Sequence, residues 1–449
     1  MRIVSYRGSH APGGVSSALT QLFQSDTRIT DWWSIAPGGL EQRKRSKLRS
    51  EFALDDEVTA GHYRFCNNFL WPVMHEMPQF VHYLNSEHRC YSEFNEAVAT
   101  HLMASENDGR QWFINDYQFA LLPAALDFDQ STSIFWHIPW PSFVDEMHVD
   151  VLAEIVRAML RTTDIGFHTA EYVENFEAFV STNLSEFDVD VRNHQILPKS
   201  PFSRAAVCTL HAAPLGSEKK AWSQITKRNQ TLDALIPSLP FVLSVDRGDY
   251  TKGVFERLNA IEIFFEKFPE YRQNLTFMQI CTRSREGLEE FDLYWQLCND
   301  RVIQINNALS LEDWKPIIWC TEHQSESDLA EIYAHAAVML VSPLRDGLNL
   351  TAKEYILSQS LGNGVLALSR GAGVHTEIGG YSVTVDPSDP FQMADAIFVS
   401  LNMGEVEKQY RLRRMREKLH KNSLSEWWQK FRRSSDLSAI KATSGMAYG

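Results

Sequence analysis

Arg247 and Lys252 stand five residues apart in "SVDRGDYTKG", directly after the apolar run "FVLSV". Two cations on a turn at a strand end suit a diphosphate, because arginine offers a fork of donors and lysine a point charge. A second polar cluster, "SPLRDGLNLTAKEY" over residues 342–355, closes the apolar run "VMLV". Asp346-Gly347 reads as a tight turn, and a helix should open near Asn349-Leu350, where free N–H groups and the positive dipole end make an anion site. Glu354 then falls about one turn into that helix, within reach of a ribose hydroxyl if a nucleotide lies there. Asp346 suits sugar hydroxyls. Taken singly, each piece also reads as surface: an ordinary Asp-Gly turn, a solvated Lys353-Glu354 pair, stray cations on a loop. Gathered in one domain, they read as a clamp for a nucleotide sugar.

The first half of the chain has its own polar points at strand ends. "SYRGSHAPGG" presents Arg7 and the pair Gly13-Gly14, which open a helix and permit close backbone approach. "INDYQ" offers Asp116, and "FWHIPWP" offers His137, which reads equally as a satisfied structural histidine. The chain has no G-x-x-x-x-G-K-[ST] loop, G-x-S-x-G elbow or H-E-x-x-H pair, so P-loop and hydrolase readings have no footing. "GNGVLA" (362–367) matches a dinucleotide fingerprint in form, but it precedes an apparent strand instead of following one.

The elements that must position these groups alternate. "RIVSY", "SIFWHIP", "DIGFHT" and "AAVCTLHAAP" read as strands running into turns, with helices such as "VDVLAEIVRAML" and "AEYVENFEAFV" between them. After two prolines in "QTLDALIPSLPFVLSV" the cycle restarts, and "LTFMQI", "KPIIWC" and "VMLVSPL" follow with intervening helices. That order predicts parallel sheets in two doubly wound α/β domains facing a central cleft. The expected boundaries are 1–235 for the first domain and 236–403 for the second. A long helical region over 404–435 and a loose tail over 436–449 follow.

Composition excludes other classes. A net charge of −14 argues against a general nucleic-acid or membrane-surface binder, and the basic runs "EQRKRSKLRSE" and "RLRRMREKLHK" read as solvated faces. Six scattered cysteines show no metal-ligand spacing, which fits a reduced interior. With no signal-like start and no long apolar run, the expected location is cytoplasmic.

With these pieces assembled, the chain resembles the trehalose-6-phosphate synthase family of retaining glycosyltransferases, which includes the glucosylglycerol-phosphate synthases. The motifs carrying the resemblance are, in order, "SYRG…PGG", "NNFLWPVMH", "NDYQ", "HIPWP", "DIGFHT", "RGDYTKG", "TRSREG" and "SPLRDGLNLTAKEY". The resemblance implies a GT-B fold with two Rossmann-like domains, a C-terminal helix crossing back to the first domain, and no required metal or cofactor. Arg247 and Lys252 would grip the donor diphosphate. The amides around Leu348, Asn349 and Leu350 would bind phosphate or donor sugar, and Glu354 the ribose. Asp346 and His137 would hold donor-sugar hydroxyls, while Gly14 approaches the diphosphate. On the acceptor side Arg7 and Arg285 resemble phosphate-binding arginines, and Trp71 and Asp116 resemble residues that orient the acceptor sugar.

Departures from the family pattern gather on the acceptor side. The loop from Arg7 to Gly13-Gly14 is short, and "NDYQ" stands for His-Asp-Tyr-His. In "GHYRFCNNFLWP", His62 occupies the position of an acceptor-binding tyrosine, with Tyr63 beside it able to compensate. The implied reaction moves glucose from a nucleoside-diphosphate glucose to a phosphorylated acceptor, foremost glucose 6-phosphate. Glycerol 3-phosphate, a cyclitol coupled by a pseudo-glycosyltransferase, and a non-catalytic nucleotide-sugar sensor are the alternatives. Partners are small molecules only, and a homo-oligomer is left open.

Overall fold

Strands buried on both faces carry unbroken apolar runs instead of alternation. The "FVLS", "VMLV" and "VLALS" segments are of this kind, and each is buried along its whole length within its strand. The computed structural model describes residues 1–9, 13–36, 39–44, 49–104, 111–126, 132–200, 205, 207–217, 236–311, 313–359 and 362–432. The chain divides into one unit of Met1–Leu215 with Leu424–Gly449, and another of Gly216–Ser423. The expected boundary at 235 and the expected tail 436–449 lie outside the described residues.

The described residues of the first unit form ten strands: β1 (Arg2–Arg7), β2 (Asp31–Ala36), β3 (Gly39–Lys44), β4 (Arg49–Phe52), β5 (Trp112–Asn115), β6 (Thr132–Phe135), β7 (Asp164–Phe167), β8 (Phe187–Asp190), β9 (Gln195–Pro198) and β10 (Cys208–Ala212). Their order is β4-β3-β2-β1-β5-β6-β7-β10-β9-β8. The centre is parallel, while β3, β4, β8 and β9 add antiparallel edges. Because β1 lies between β2 and β5, the winding reverses at its carboxyl end, where Arg7 and the helix Gly14–Ser25 follow.

The second unit holds β11 (Phe241–Arg247), β12 (Thr276–Thr282), β13 (Ile317–Cys320), β14 (Val338–Val341), β15 (Val365–Ser369) and β16 (Val383–Val385). All are parallel in the order β13-β12-β11-β14-β15-β16. This is the doubly wound arrangement in which ligands collect outside the carboxyl ends of the two strands flanking the reversal, here β11 and β14.

One long helix is expected over 404–435, but its described residues, 404–432, form two. The helix Glu405–His420 ends in a turn closed by the Asn422 amide donating to Leu419 O at 3.1 Å, and residues 424–432 form a second helix. The Asn422 side chain donates to Glu377 Oε1 at 3.0 Å, which anchors the turn. Trp427, Trp428 and Phe431 of the second helix are buried against Phe113, and Trp427 and Phe431 also meet Phe135. The Trp427 indole donates to Ala213 O at 3.0 Å and that of Trp428 to Asp26 Oδ2 at 2.8 Å. The first unit therefore takes its last structural helix from the far end of the chain.

Candidate functional site

At the reversal point of the second unit, β11 ends on Arg247 and leads through Gly248 into a one-turn helix, Tyr250–Lys252. Gly253 follows with φ 63°, and a Cβ there would lie 2.2 Å from Ser342 O. Glycine is thus required both by backbone conformation and by the approach of the segment after β14. That approach brings Lys252 Nζ to Asp346 Oδ2 at 2.7 Å, with the side chains only 9 % and 14 % exposed. Asn349 Nδ2 also donates to Asp346 Oδ2, at 3.2 Å. Asn349 caps the helix Leu350–Ser358, its Oδ1 accepting from the Ala352 amide at 3.2 Å and the Thr351 hydroxyl at 2.9 Å. The first amides of this helix precede any intrahelical acceptor, so they face the same carboxyl end as Lys252.

Glu354 lies one turn further on, and Tyr333 Oη donates to its Oε2 at 3.2 Å. Burial pushes the Glu354 carboxyl up to about 7, with nearby Glu326 adding to the rise and the Tyr333 bond opposing it. Its neighbour Lys353 is not solvated. It is fully buried and paired with Glu377, and burial lowers its pKa. Leu348 is buried, its carbonyl accepting from the Val374 amide at 2.8 Å.

Arg285, expected on the acceptor side, is held within this unit. Its Nη1 donates to Asp249 Oδ2 at 2.6 Å, and its guanidinium stacks over Phe291 at 4.7 Å. Asp249 is absent from the sequence-derived site, although it stands inside "RGDYTKG". An acid between two cations is the signal that could have flagged it. Behind the cluster, buried Arg257 joins Asp246, Gln279 and Ser342 at 2.8–3.0 Å, tying β11, β12 and the β14 end together.

At the reversal point of the first unit, Arg7 is exposed at the end of β1, its Nη1 within 3.9 Å of the Cβ position of Gly13. Gly13 precedes the helix that starts at Gly14. β5 ends on Asn115, and Asp116 follows with φ 73°, a positive-φ backbone uncommon outside glycine that aspartate adopts more readily than most residues. Asp116 Oδ1 accepts from the Tyr117 and His137 amides, both at 3.0 Å, joining the ends of β5 and β6. His137 Nε2 lies 3.2 Å from Asn115 Oδ1. Asn115 Nδ2 donates to Val4 O and Phe113 O, so Oδ1 is fixed as the acceptor and the His137 proton sits on Nε2. Nδ1 is then a buried acceptor with no partner among the described residues, and burial drops the imidazole pKa to about 3. Such a neutral ring can take a hydrogen bond from a hydroxyl. Asn115 is a second residue that the sequence reading passed over.

Residues 62–71 run through a π-helical segment, Phe65–Leu70, which delivers Trp71 to the start of a short helix. Trp71 is buried with its ring 4.0 Å from His75 and 6.2 Å from Tyr117. His62 and Tyr63 part company. His62 is fully buried, stacked 3.7 Å from Phe94, with Nε2 donating to Gln118 O at 2.9 Å, and burial takes its pKa down to about 4. Tyr63 stays half-buried and stacks on Tyr6 at 6.4 Å.

The sequence family described as glycosyltransferase family 20 matches residues 9–436. The UDP-forming alpha,alpha-trehalose-phosphate synthase of Botryotinia fuckeliana is 28 % identical, the match covering 98 % of this chain and 87 % of that protein. The 56 kDa subunit of the Saccharomyces cerevisiae synthase is 26 % identical, covering 98 % and 92 %. Among solved structures, an alpha,alpha-trehalose-phosphate synthase (UDP-forming) from Burkholderia xenovorans, in complex with glucose-6-phosphate, superimposes with a TM-score of 0.88 at 27 % identity, over 97 % of this chain and 99 % of that one. The fold expected from the sequence, GT-B, is the fold of this chain.

Proposed function

This chain belongs to glycosyltransferase family 20, and on that premise we propose that it moves glucose from UDP-glucose to glucose 6-phosphate, releasing UDP and forming alpha,alpha-trehalose 6-phosphate. The observation that carries the reading is the cluster of Lys252, Asp346 and the Asn349-capped helix at the carboxyl ends of β11 and β14. The donor and acceptor follow the relatives, which are named for forming UDP, and the Burkholderia xenovorans structure, which holds glucose-6-phosphate. UDP-glucose carries its sugar in the α configuration and an alpha,alpha product keeps it, so the transfer proceeds with retention.

In this scheme the bond from glucose C1 to the β-phosphate oxygen breaks while the acceptor's anomeric hydroxyl bonds to C1 on the same face. Its proton passes to the departing phosphate oxygen. Arg247, Lys252 and the amides of Leu348, Asn349 and Leu350 stabilise the negative charge that grows on UDP, where preorganised donors act most strongly. Gly14 lets backbone approach the diphosphate, and Glu354 accepts from the ribose. Asp346 and the open Nδ1 of His137 hold donor-sugar hydroxyls. Arg7 and Arg285 bind the acceptor phosphate, while Trp71, Asp116 and Tyr63 orient the acceptor ring, Tyr6 stacking on both Tyr63 and the interior His62. The enzyme contributes alignment and electrostatics, and the leaving group supplies the base.

No described helix is long and apolar enough to cross a membrane. We place the reaction in the cytoplasm, in keeping with six cysteines that are all free thiols.

The test is a matrix of nucleoside-diphosphate glucoses against glucose 6-phosphate, glycerol 3-phosphate and unphosphorylated glucose, reading nucleotide release and product linkage. UDP release that requires glucose 6-phosphate, with an α,α-linked product, supports the reading. Release with glycerol 3-phosphate alone reassigns the acceptor, and no acceptor-dependent release overturns the transferase.

A further inference from the structure

Asp249 is 0 % exposed, and both its oxygens are engaged. Oδ1 accepts from the Thr251 amide at 3.0 Å and the Thr251 hydroxyl at 2.9 Å, while Oδ2 takes Arg285 Nη1 at 2.6 Å. Its carbonyl accepts from the Lys252 amide at 2.9 Å. The Thr251 carbonyl in turn accepts from Leu344 at 2.9 Å, on the segment that leads to Asp346. One buried carboxylate thus sits behind the turn that carries Lys252 and also holds Arg285. Arg285 itself adopts φ 54°, a left-handed conformation that strains a non-glycine residue and persists only where surrounding contacts enforce it. The ion pair with Asp249 and the stack on Phe291 are such contacts. Burial alone would raise the Asp249 carboxyl, but Arg285, Lys252 and Arg247 hold it well below the usual carboxylate range, so it stays charged.

We propose that Asp249 is a positioning residue that binds Arg285, the arginine assigned above to the acceptor phosphate, into the same turn as the donor-diphosphate cations. Acceptor phosphate and leaving diphosphate are then read by cations placed by one residue, Arg285 through the Asp249 carboxylate and Lys252 through the Asp249 carbonyl, which couples acceptor recognition to the donor clamp. This inference rests on the acceptor role given to Arg285 under the proposed function.

The experiment is a double-mutant cycle on the full chain with UDP-glucose and glucose 6-phosphate. Asp249→Asn keeps an oxygen for Thr251 and loses the charge that holds Arg285. It is expected to raise the KM for glucose 6-phosphate about tenfold or more while moving the KM for UDP-glucose less than about threefold. In an Arg285→Ala background the same change is expected to add nothing to the acceptor KM, because the two residues act as one unit. Equal losses in both KM values, or an Asp249→Asn effect that adds in full on Arg285→Ala, overturn the proposal. Asp249→Ser, smaller and still able to accept from Thr251, is the second variant. Should neither variant fold, Asp249 belongs to the fold alone and the proposal is likewise overturned. A wild-type enzyme without acceptor-dependent UDP release, or an Arg285→Ala enzyme with unchanged acceptor KM, instead counts against the underlying functional reading.

Discussion

Lys252 is the side chain on which the donor end turns, since its ammonium meets Asp346 and its backbone is pinned by Asp249. Replacing Lys252 or Arg247 by alanine is expected to lower kcat about 10²–10³-fold, the scale of losing one preorganised donor, measured as UDP released at saturating acceptor. A change smaller than threefold would remove that residue from the site. Glu354 gives a second, independent expectation. Its folded pKa of about 7 lies above the ordinary 4.5, so the folded chain holds the proton more tightly than the unfolded one. The stabilisation is complete below 4.5 and is lost as pH rises through 7. Glu354→Gln should therefore melt at or above the wild-type temperature at pH 8, and this advantage should vanish by pH 5 in thermal scans. At this scale the sequence was legible for residue types and silent on burial. Lys353, read as part of a solvated pair, lies in the core with Glu377, and His62 is likewise interior. Spacing along a chain gives which groups meet at a turn, whereas the depth of each group is set by elements distant in sequence.

Elements decide how those groups meet, and Gly253 shows how tightly. A methyl there must occupy a left-handed backbone and displace Ser342 O, which would lie 2.2 Å away. Gly253→Ala is expected to cost roughly 1–3 kcal/mol, seen as a lowered midpoint in urea, with a larger fall in turnover because Lys252 precedes the glycine directly. The parallel strands were readable because burial on both faces makes them continuous apolar runs between helices. The antiparallel edge strands were not. β3 is "GLEQRK" and β4 is "RSEF", polar segments that become strands because β2 offers β3 a partner and β3 in turn offers one to β4. The π-helical turn at Phe65–Leu70 was equally hidden, since its sequence "FCNNFL" has no local feature that distinguishes it from an α-helix. The donor motifs were legible because their chemistry is local to two turns. The Asp249–Arg285 pair joins the turn after β11 to the end of β12, and only the sheet order brings them together.

The molecule as a whole is organised by a discontinuity. Trp427, Trp428 and Phe431, from the last described helix, complete the packing around Phe113 and Phe135 of the first sheet. Trp427→Ala is expected to destabilise that unit by about 3–5 kcal/mol, the cost of emptying a large aromatic site, and to expose apolar surface detectable by dye binding. The Asn422–Glu377 bond holds the end of the basic helix Glu405–His420 within the second unit. An order of synthesis follows. The ribosome delivers β1 through β10 first, yet withholds the aromatic residues that seal them until every strand of the second sheet has emerged. The nascent first half is therefore expected to lack its closing aromatic packing until late in translation, and the second half to reach its final form before it.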